Sequence, residues 1–145
     1  MVNGWPGRLL GRRGSVLESG QGLETTKRNG MKLDLEEKGG VSILVLSGQL
    51  ARGAEKQFRE AIDTLVSSGR SKILIDFTEV TFMDSAGIGE LVASYRTIGR
   101  LGGALKILNP GSKVQDSLTL TNLLPIFEVF EDEEEAVASF APEQP

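Results

Sequence analysis

From Met31 onward the hydrophobic positions of the chain recur with two periods, and the alternation between them predicts the elements. Residues 33–37 (LDLEE) and 41–47 (VSILVLS) are strand-like runs separated by Gly39-Gly40, a hairpin signal. Residues 54–66 (AEKQFREAIDTLV) place Ala54, Phe58, Ala61, Ile62, Leu65 and Val66 at helical spacing, and Gly69 supplies a stop. Residues 72–77 (KILIDF) form a nearly continuous apolar run, as expected for an interior strand covered on both faces. After the stretch 81-TFMDSAGIGEL-91, Ile88, Leu91, Val92, Tyr95 and Ile98 share one stripe and predict a helix over 86–101, ended by Gly102-Gly103. A strand is predicted at 104–108 (ALKIL). A short helix is predicted at 112–121, with Ser112 as N-cap and Asn122 in the left-handed conformation beyond its end. Residues 127–130 (FEVF) read as a last strand and 131–140 (EDEEEAVASF) as a closing helix with Ala136, Val137 and Phe140 facing inward. The order β-β-α-β-α-β-α-β-α predicts an α/β fold, a mixed and mostly parallel sheet packed with about four helices.

Residues 1–30 have no sustained period and are rich in Gly, Ser, Thr and Arg, so they cannot bury enough apolar surface to offset their ordering entropy. They read as a disordered extension, or as a stretch preceding a true start at Met31. A basic targeting peptide is disfavoured because Leu9-Leu10 is too short for an apolar signal core. One domain is therefore expected over 31–145. The 145-residue chain is 39% hydrophobic and 25% charged, in the ordinary globular range, and no apolar run approaches the ~20 residues that span a bilayer.

The absent residues narrow the chemistry. Without cysteine there is no disulfide framework and no thiolate; without histidine there is no Ser-His-Asp triad, no His-bearing zinc site and no His phosphorelay. Residues 1–30 carry five basic and two acidic side chains, a net of +3, which leaves −7 for residues 31–145 out of the chain total of −4. An acidic domain of this kind repels nucleic acid, whose binding depends on clustered Lys and Arg.

Four features remain as candidate chemistry. The acidic run Glu131 to Glu135 fans out around a helix instead of converging on a cation, and acids in a first turn compensate the helix dipole. Gly87-x-Gly89 has the beginning of a dinucleotide fingerprint, but Val92 stands where its third small residue belongs and no Walker lysine follows. Asp76 closes the apolar strand, where it serves either as a nucleophile or phospho-acceptor or as a partner for loop amides. Asp84-Ser85 offers two N-cap residues where one suffices, and Ala86 and Gly87 remove bulk beside the hydroxyl. On spacing alone, capping and chemical use of Ser85 are evenly balanced. An enzyme using Asp76 or Ser85 as nucleophile needs unusual activation, because no histidine and no lysine near the motif can act as base. A non-enzymatic binding module without cofactor or metal is the expectation.

Residues 31–140 resemble the STAS domain, in particular the small bacterial anti-sigma factor antagonists. The resemblance is carried by Gly48-Gln49-Leu50 (Gly-x-Leu), 74-LIDFTEVTFMDSAGIGEL-91 (the core motif), Gly102-Gly103-Ala104-Leu105, and Leu120-Thr121-Asn122-Leu123 in the place of Thr-Gly-Leu. It implies a cytoplasmic bacterial protein whose serine, here Ser85, is phosphorylated by an anti-sigma factor that is also an ATP-dependent serine kinase. The dephosphorylated form binds that kinase and frees a sigma factor for transcription, and a PP2C-type phosphatase resets the switch. The implied docking surface comprises Asp84, Ser85, Ala86, Gly87 and Gly89, with Arg52 and Asp76 nearby. Where the family commonly has an aspartate after Gly-x-Leu, this chain has Ala51 followed by Arg52, so an acidic contact to the kinase is missing or replaced by Arg52. The family also contains non-switching subunits of stressosome-like scaffolds and lipid-transport complexes, the alternative role that the resemblance implies.

Overall fold

The structure is a computed structural model that describes residues 30–140 and the backbone of 26–28. Six strands form one sheet in sequential order: β1 Thr26–Arg28, β2 Met31–Lys38, β3 Val41–Leu50, β4 Lys72–Met83, β5 Ala104–Leu108 and β6 Val129–Phe130. Strand β2 pairs antiparallel with both β1 and β3, and β3 through β6 run parallel. Four α-helices accompany them: α1 Glu55–Ser67, α2 Ser85–Arg100, α3 Ser112–Leu120 and α4 Glu133–Ser139. The expected α/β class and mostly parallel sheet are present. Of the N-terminal stretch 1–30, only Thr26–Arg28 and Gly30 are described, and Thr26–Arg28 adds an edge strand that the sequence pattern does not announce. The expectation of disorder for the remainder lies outside the described residues.

Side-chain alternation along the strands builds two cores. Ile73, Ile75 and Phe77 of β4 join Leu33, Leu35, Leu44 and Leu46 in a large cluster closed by Phe58 and Leu65 of α1, Leu91 and Ile98 of α2, and Val114 and Leu118 of α3. Leu74 points the other way, into a smaller cluster with Val41, Ile43, Val45 and Leu108 that Ala136 and Phe140 cover. Three helices thus lie on one face and α4 on the other, which explains the unbroken apolar run at 72–77. Gly39 and Gly40, with φ of 59° and 81°, make the two-residue turn between β2 and β3, a conformation that favours glycine at both positions.

Strands β2 and β3 run longer than predicted and α4 is shorter, and three further elements differ in a way that reshapes the local structure. Strand β4 runs on to Met83, because backbone pairing with Ser47 through Leu50 continues past two register irregularities although Thr78, Glu79, Thr81 and Phe82 are exposed. Strand β6 is only two residues long, since Leu124–Ile126 form a turn of 3₁₀ helix and Phe127 enters the core. Helix α3 is capped at Gly111, not Ser112, which is already its first helical residue; Asn122 does adopt φ of 60°. The acids Glu133, Glu134 and Glu135 fall in the first turn of α4, where Asp132 accepts a hydrogen bond from the Glu135 amide at 2.9 Å.

Candidate functional site

The long β4 delivers its last residue, Met83, to the carboxyl end of the parallel strands, the end at which α/β sheets assemble their sites. There Asp84 takes an extended conformation (φ −105°, ψ −172°) and α2 begins at Ser85. Asp84 is the cap. Its Oδ1 accepts from the amides of Ala86 (3.0 Å) and Gly87 (3.1 Å), and its Oδ2 accepts from the Arg52 amide at 3.0 Å. One carboxylate therefore satisfies two orphan amides of α2 and ties down the loop after β3.

Burial of the Asp84 carboxyl works against its charge, but the hydrogen bonds from Gly87, Arg52 and Ala86 and the Arg52 charge outweigh it, so its pKa is lowered. A carboxylate with a lowered pKa stabilises the fold above the ordinary carboxyl value of about 3.9, and that stabilisation is lost as pH falls through the lowered value. Wild type is expected to exceed Asp84→Ala in stability by about 1–2 kcal/mol at neutral pH. The gap should narrow in that acid range, as read from urea unfolding at a series of pH values. A gap that widens on acidification contradicts this role.

The start of α2 also sits hard against the β3 loop. A Cβ added at Gly87 would lie 2.0 Å from the carbonyl oxygen of Leu50, so only glycine allows the helix to approach this closely. The Asp84 amide donates to the same carbonyl at 3.4 Å. The Gly-x-Leu loop and the Asp-Ser-Ala-Gly turn, far apart in sequence, are thus one structural unit.

Within this unit Ser85 is exposed, and its hydroxyl makes no hydrogen bond among the described residues. Because Asp84 does the capping, the Ser85 hydroxyl has no structural duty at the positive end of a 16-residue helix. Ala86 is partly covered, Gly87 buried and Gly89 exposed along the first turns. Arg52 is exposed beside the Asp84 carboxylate. The neighbourhood is also apolar: Phe82, just before the turn, is 43% exposed. Helix α3 is drawn to the same strand end by Ser117, whose hydroxyl donates to the Met83 carbonyl at 3.2 Å, and one turn further it carries Leu120, 83% exposed.

Asp76 is not part of this group. It lies upstream in β4 at the register of Val45 and Leu108, and by alternation with Ile75 and Phe77 it points to the face opposite α2. There it is buried and accepts from the Thr78 amide (2.9 Å) and hydroxyl (2.5 Å), while Asn109 donates to that hydroxyl at 3.1 Å. Of the seven residues singled out in the sequence, six gather around the start of α2 and one does not. Sequence reasoning named the Gly-x-Leu stretch, whose Leu50 is buried against Gly87, but did not single out the exposed Phe82 and Leu120 as candidate contact residues at this strand end. The signal for Phe82 and Leu120 was their apolar character at positions outside the helical and strand stripes.

No group of acidic side chains able to hold a metal ion occurs among the described residues, and no helix among them is long and apolar enough to cross a membrane. The sequence model of the STAS domain matches residues 32–136. The anti-sigma F factor antagonist of Paenibacillus polymyxa is 25% identical over 108 residues, which is 74% of this chain and 92% of that protein. Among solved structures, the anti-sigma factor antagonist SpoIIAA in its unphosphorylated form superposes with a TM-score of 0.64 at 26% identity, covering 72% of this chain and 92% of that one. The phosphorylated form of the Bacillus cell fate determinant SpoIIAA gives 0.60 at 28% identity, covering 73% and 96%. The matching region runs from β2 into the last helix, α4, and includes the Asp84–Gly87 turn, and on this match the chain belongs to the STAS domain family.

Proposed function

We propose that this protein is an anti-sigma factor antagonist whose binding is switched by phosphorylation of Ser85. The observation that carries the reading is the division of labour at the start of α2: Asp84 provides every capping bond, and the neighbouring hydroxyl is exposed and unengaged. Dephosphorylated protein binds an anti-sigma factor that is also a serine kinase, through Ser85, the first turns of α2, Arg52, Phe82 and Leu120. The sigma factor held by that partner is released. The kinase then transfers the terminal phosphoryl group of ATP to the Ser85 hydroxyl, and a PP2C-type phosphatase removes it.

The physical consequences of such a phosphate suit this geometry. A phosphoserine adds about −1.5 to −2 charge at neutral pH, and a helix N-terminus tolerates it through its dipole and free amides. The fold therefore survives modification, in keeping with the similarity of this chain to SpoIIAA in both its forms. The cost falls on the docking surface, where the phosphate joins Asp84 in opposing a partner shaped for a neutral hydroxyl. Incubation of the full-length protein with the anti-sigma kinases of its own genome and ATP is expected to place one phosphate on Ser85 and none on the Ser85→Ala variant. Phosphate on a different residue, or equal labelling of Ser85→Ala, overturns the assignment.

A further inference from the structure

At the far end of α2 from Ser85, the helix and the edge of β5 enclose a groove of about 450 Å³ whose lining includes Tyr95, Arg96, Gly99, Arg100, Leu105 and Ile126. Its volume is in the range of small-ligand sites, ~300–1,000 Å³. Arg96 and Arg100 stand one helical turn apart and have no hydrogen bond or ion pair among the described residues. Their guanidinium groups are therefore free to meet a ligand, in contrast to Lys38, Arg59, Arg70 and Lys106, which each pair with a glutamate at 2.5–3.3 Å. Two like charges at this spacing repel, and the one acid that lines the groove, Glu128, is held by Lys106 at 3.3 Å.

Two further features open the groove. The amides of Ile107 and Asn109 donate across to Glu128 and Phe130, so by alternation the Leu105 amide is aimed at the same side, where β6 has not yet begun. Gly99 is not required by packing: a Cβ there meets nothing within 4 Å, whereas one on Gly103 would lie 2.3 Å from the Ser71 carbonyl. A helical glycine without a packing reason leaves the space beside the two arginines unfilled. Tyr95, on the same helix as the arginines, is braced edge-on against Phe127, ring centres 5.0 Å apart, and Ile126, in the turn before β6, is 41% exposed.

We propose that this groove binds a small amphipathic anion. The guanidinium groups of Arg96 and Arg100 take a carboxylate or phosphate head, and Tyr95 and Ile126 receive an apolar or aromatic body. A compact ligand fits better than an acidic peptide, because the open edge of β5, residues 104–106, gives an added strand few backbone bonds. Full-length protein is titrated with octanoate, phenyl phosphate, inorganic phosphate and the neutral controls octanol and phenol, followed by amide NMR shifts of residues 95–106. Saturable shifts with octanoate or phenyl phosphate that exceed those with inorganic phosphate, and none with the alcohols, are expected. Octanoate alone would point to a lipid-type carboxylate, phenyl phosphate alone to a phosphate ester, and either supports the site. Arg96→Gln with Arg100→Gln should weaken binding at least about tenfold, and Gly99→Leu should abolish it without loss of fold. Absence of saturable shifts, unchanged affinity in the double variant, or binding of an acidic peptide with no response to either anion overturns the proposal. None of these outcomes depends on the role of Ser85.

Discussion

Ser85→Asp is expected to weaken binding of the anti-sigma kinase by more than about a hundredfold, while Ser85→Ala binds as tightly as wild type. The first helical position of α2 accepts a carboxylate readily, because an acid there complements the helix dipole. The variant should therefore be at least as stable as wild type, which separates an interface effect from unfolding. At the interface the new charge lies next to the Asp84 carboxylate, whose own charge is already favoured by three amides and Arg52. Bringing a partner over both charges costs about 3 kcal/mol, which is more than a hundredfold in affinity. Titration calorimetry of the two variants and wild type reads the difference directly. Equal affinity for Ser85→Asp and wild type contradicts the electrostatic switch and favours an unswitched structural subunit.

Gly87→Ala is expected to be among the most destabilising single substitutions in the domain, costing about 3 kcal/mol or more, at the upper end of overpacking effects. The opposing atom is a backbone carbonyl, Leu50 O, at 2.0 Å from the added carbon, with the Leu50 carbonyl carbon and Cγ both at 2.9 Å. No side-chain rotation relieves a clash with backbone, so either α2 or the β3 loop must move and the Asp84 bonds to Arg52, Ala86 and Gly87 are lost with it. The nearby Gly89→Ala is the control. It has open space around the new carbon, and removing a helical glycine should stabilise by roughly 0.5–1 kcal/mol. Urea unfolding midpoints that move in opposite directions for these two alanines are the predicted outcome. A Gly87→Ala midpoint equal to wild type shows that the helix–loop contact is softer than its geometry implies.

How much of this was readable in the sequence depends on what kind of force sets each feature. The stripes of Phe58, Ala61, Ile62 and Leu65, and of Leu91 and Ile98, located α1 and α2 because burial of one helical face leaves a period in the sequence. The second half of β4 left no such trace, since Thr78, Glu79, Thr81 and Phe82 are exposed and the strand is held there by backbone pairing. Asp84 and Ser85 are equally good caps by residue type, and only the backbone conformation, with Asp84 extended and Ser85 helical, assigns the duty. Asp76 was placed correctly on a strand, yet its alternation with Ile75 and Phe77 puts it on the other face of the sheet from α2. The contact of Gly87 with Leu50 and the openness beside Gly99 are tertiary facts, and the two glycines look alike in the sequence.

The same contrast explains why the motif reads as a unit. Gly87 is demanded by close approach and Asp84 by capping and loop attachment, so both are accounted for by the fold alone, while Ala86 contributes its amide to the cap. Ser85 is the member for which the fold supplies no reason. Its claim to function rests on that difference.

Phosphosite mapping of the protein isolated from its own cells tests that claim most directly. The expected result is a single phosphate on Ser85 whose occupancy changes with growth condition, together with loss of all phosphate in a Ser85→Ala strain. A Ser85 that stays unmodified in every condition, with phosphate on another residue or retained in the Ser85→Ala strain, contradicts the switch.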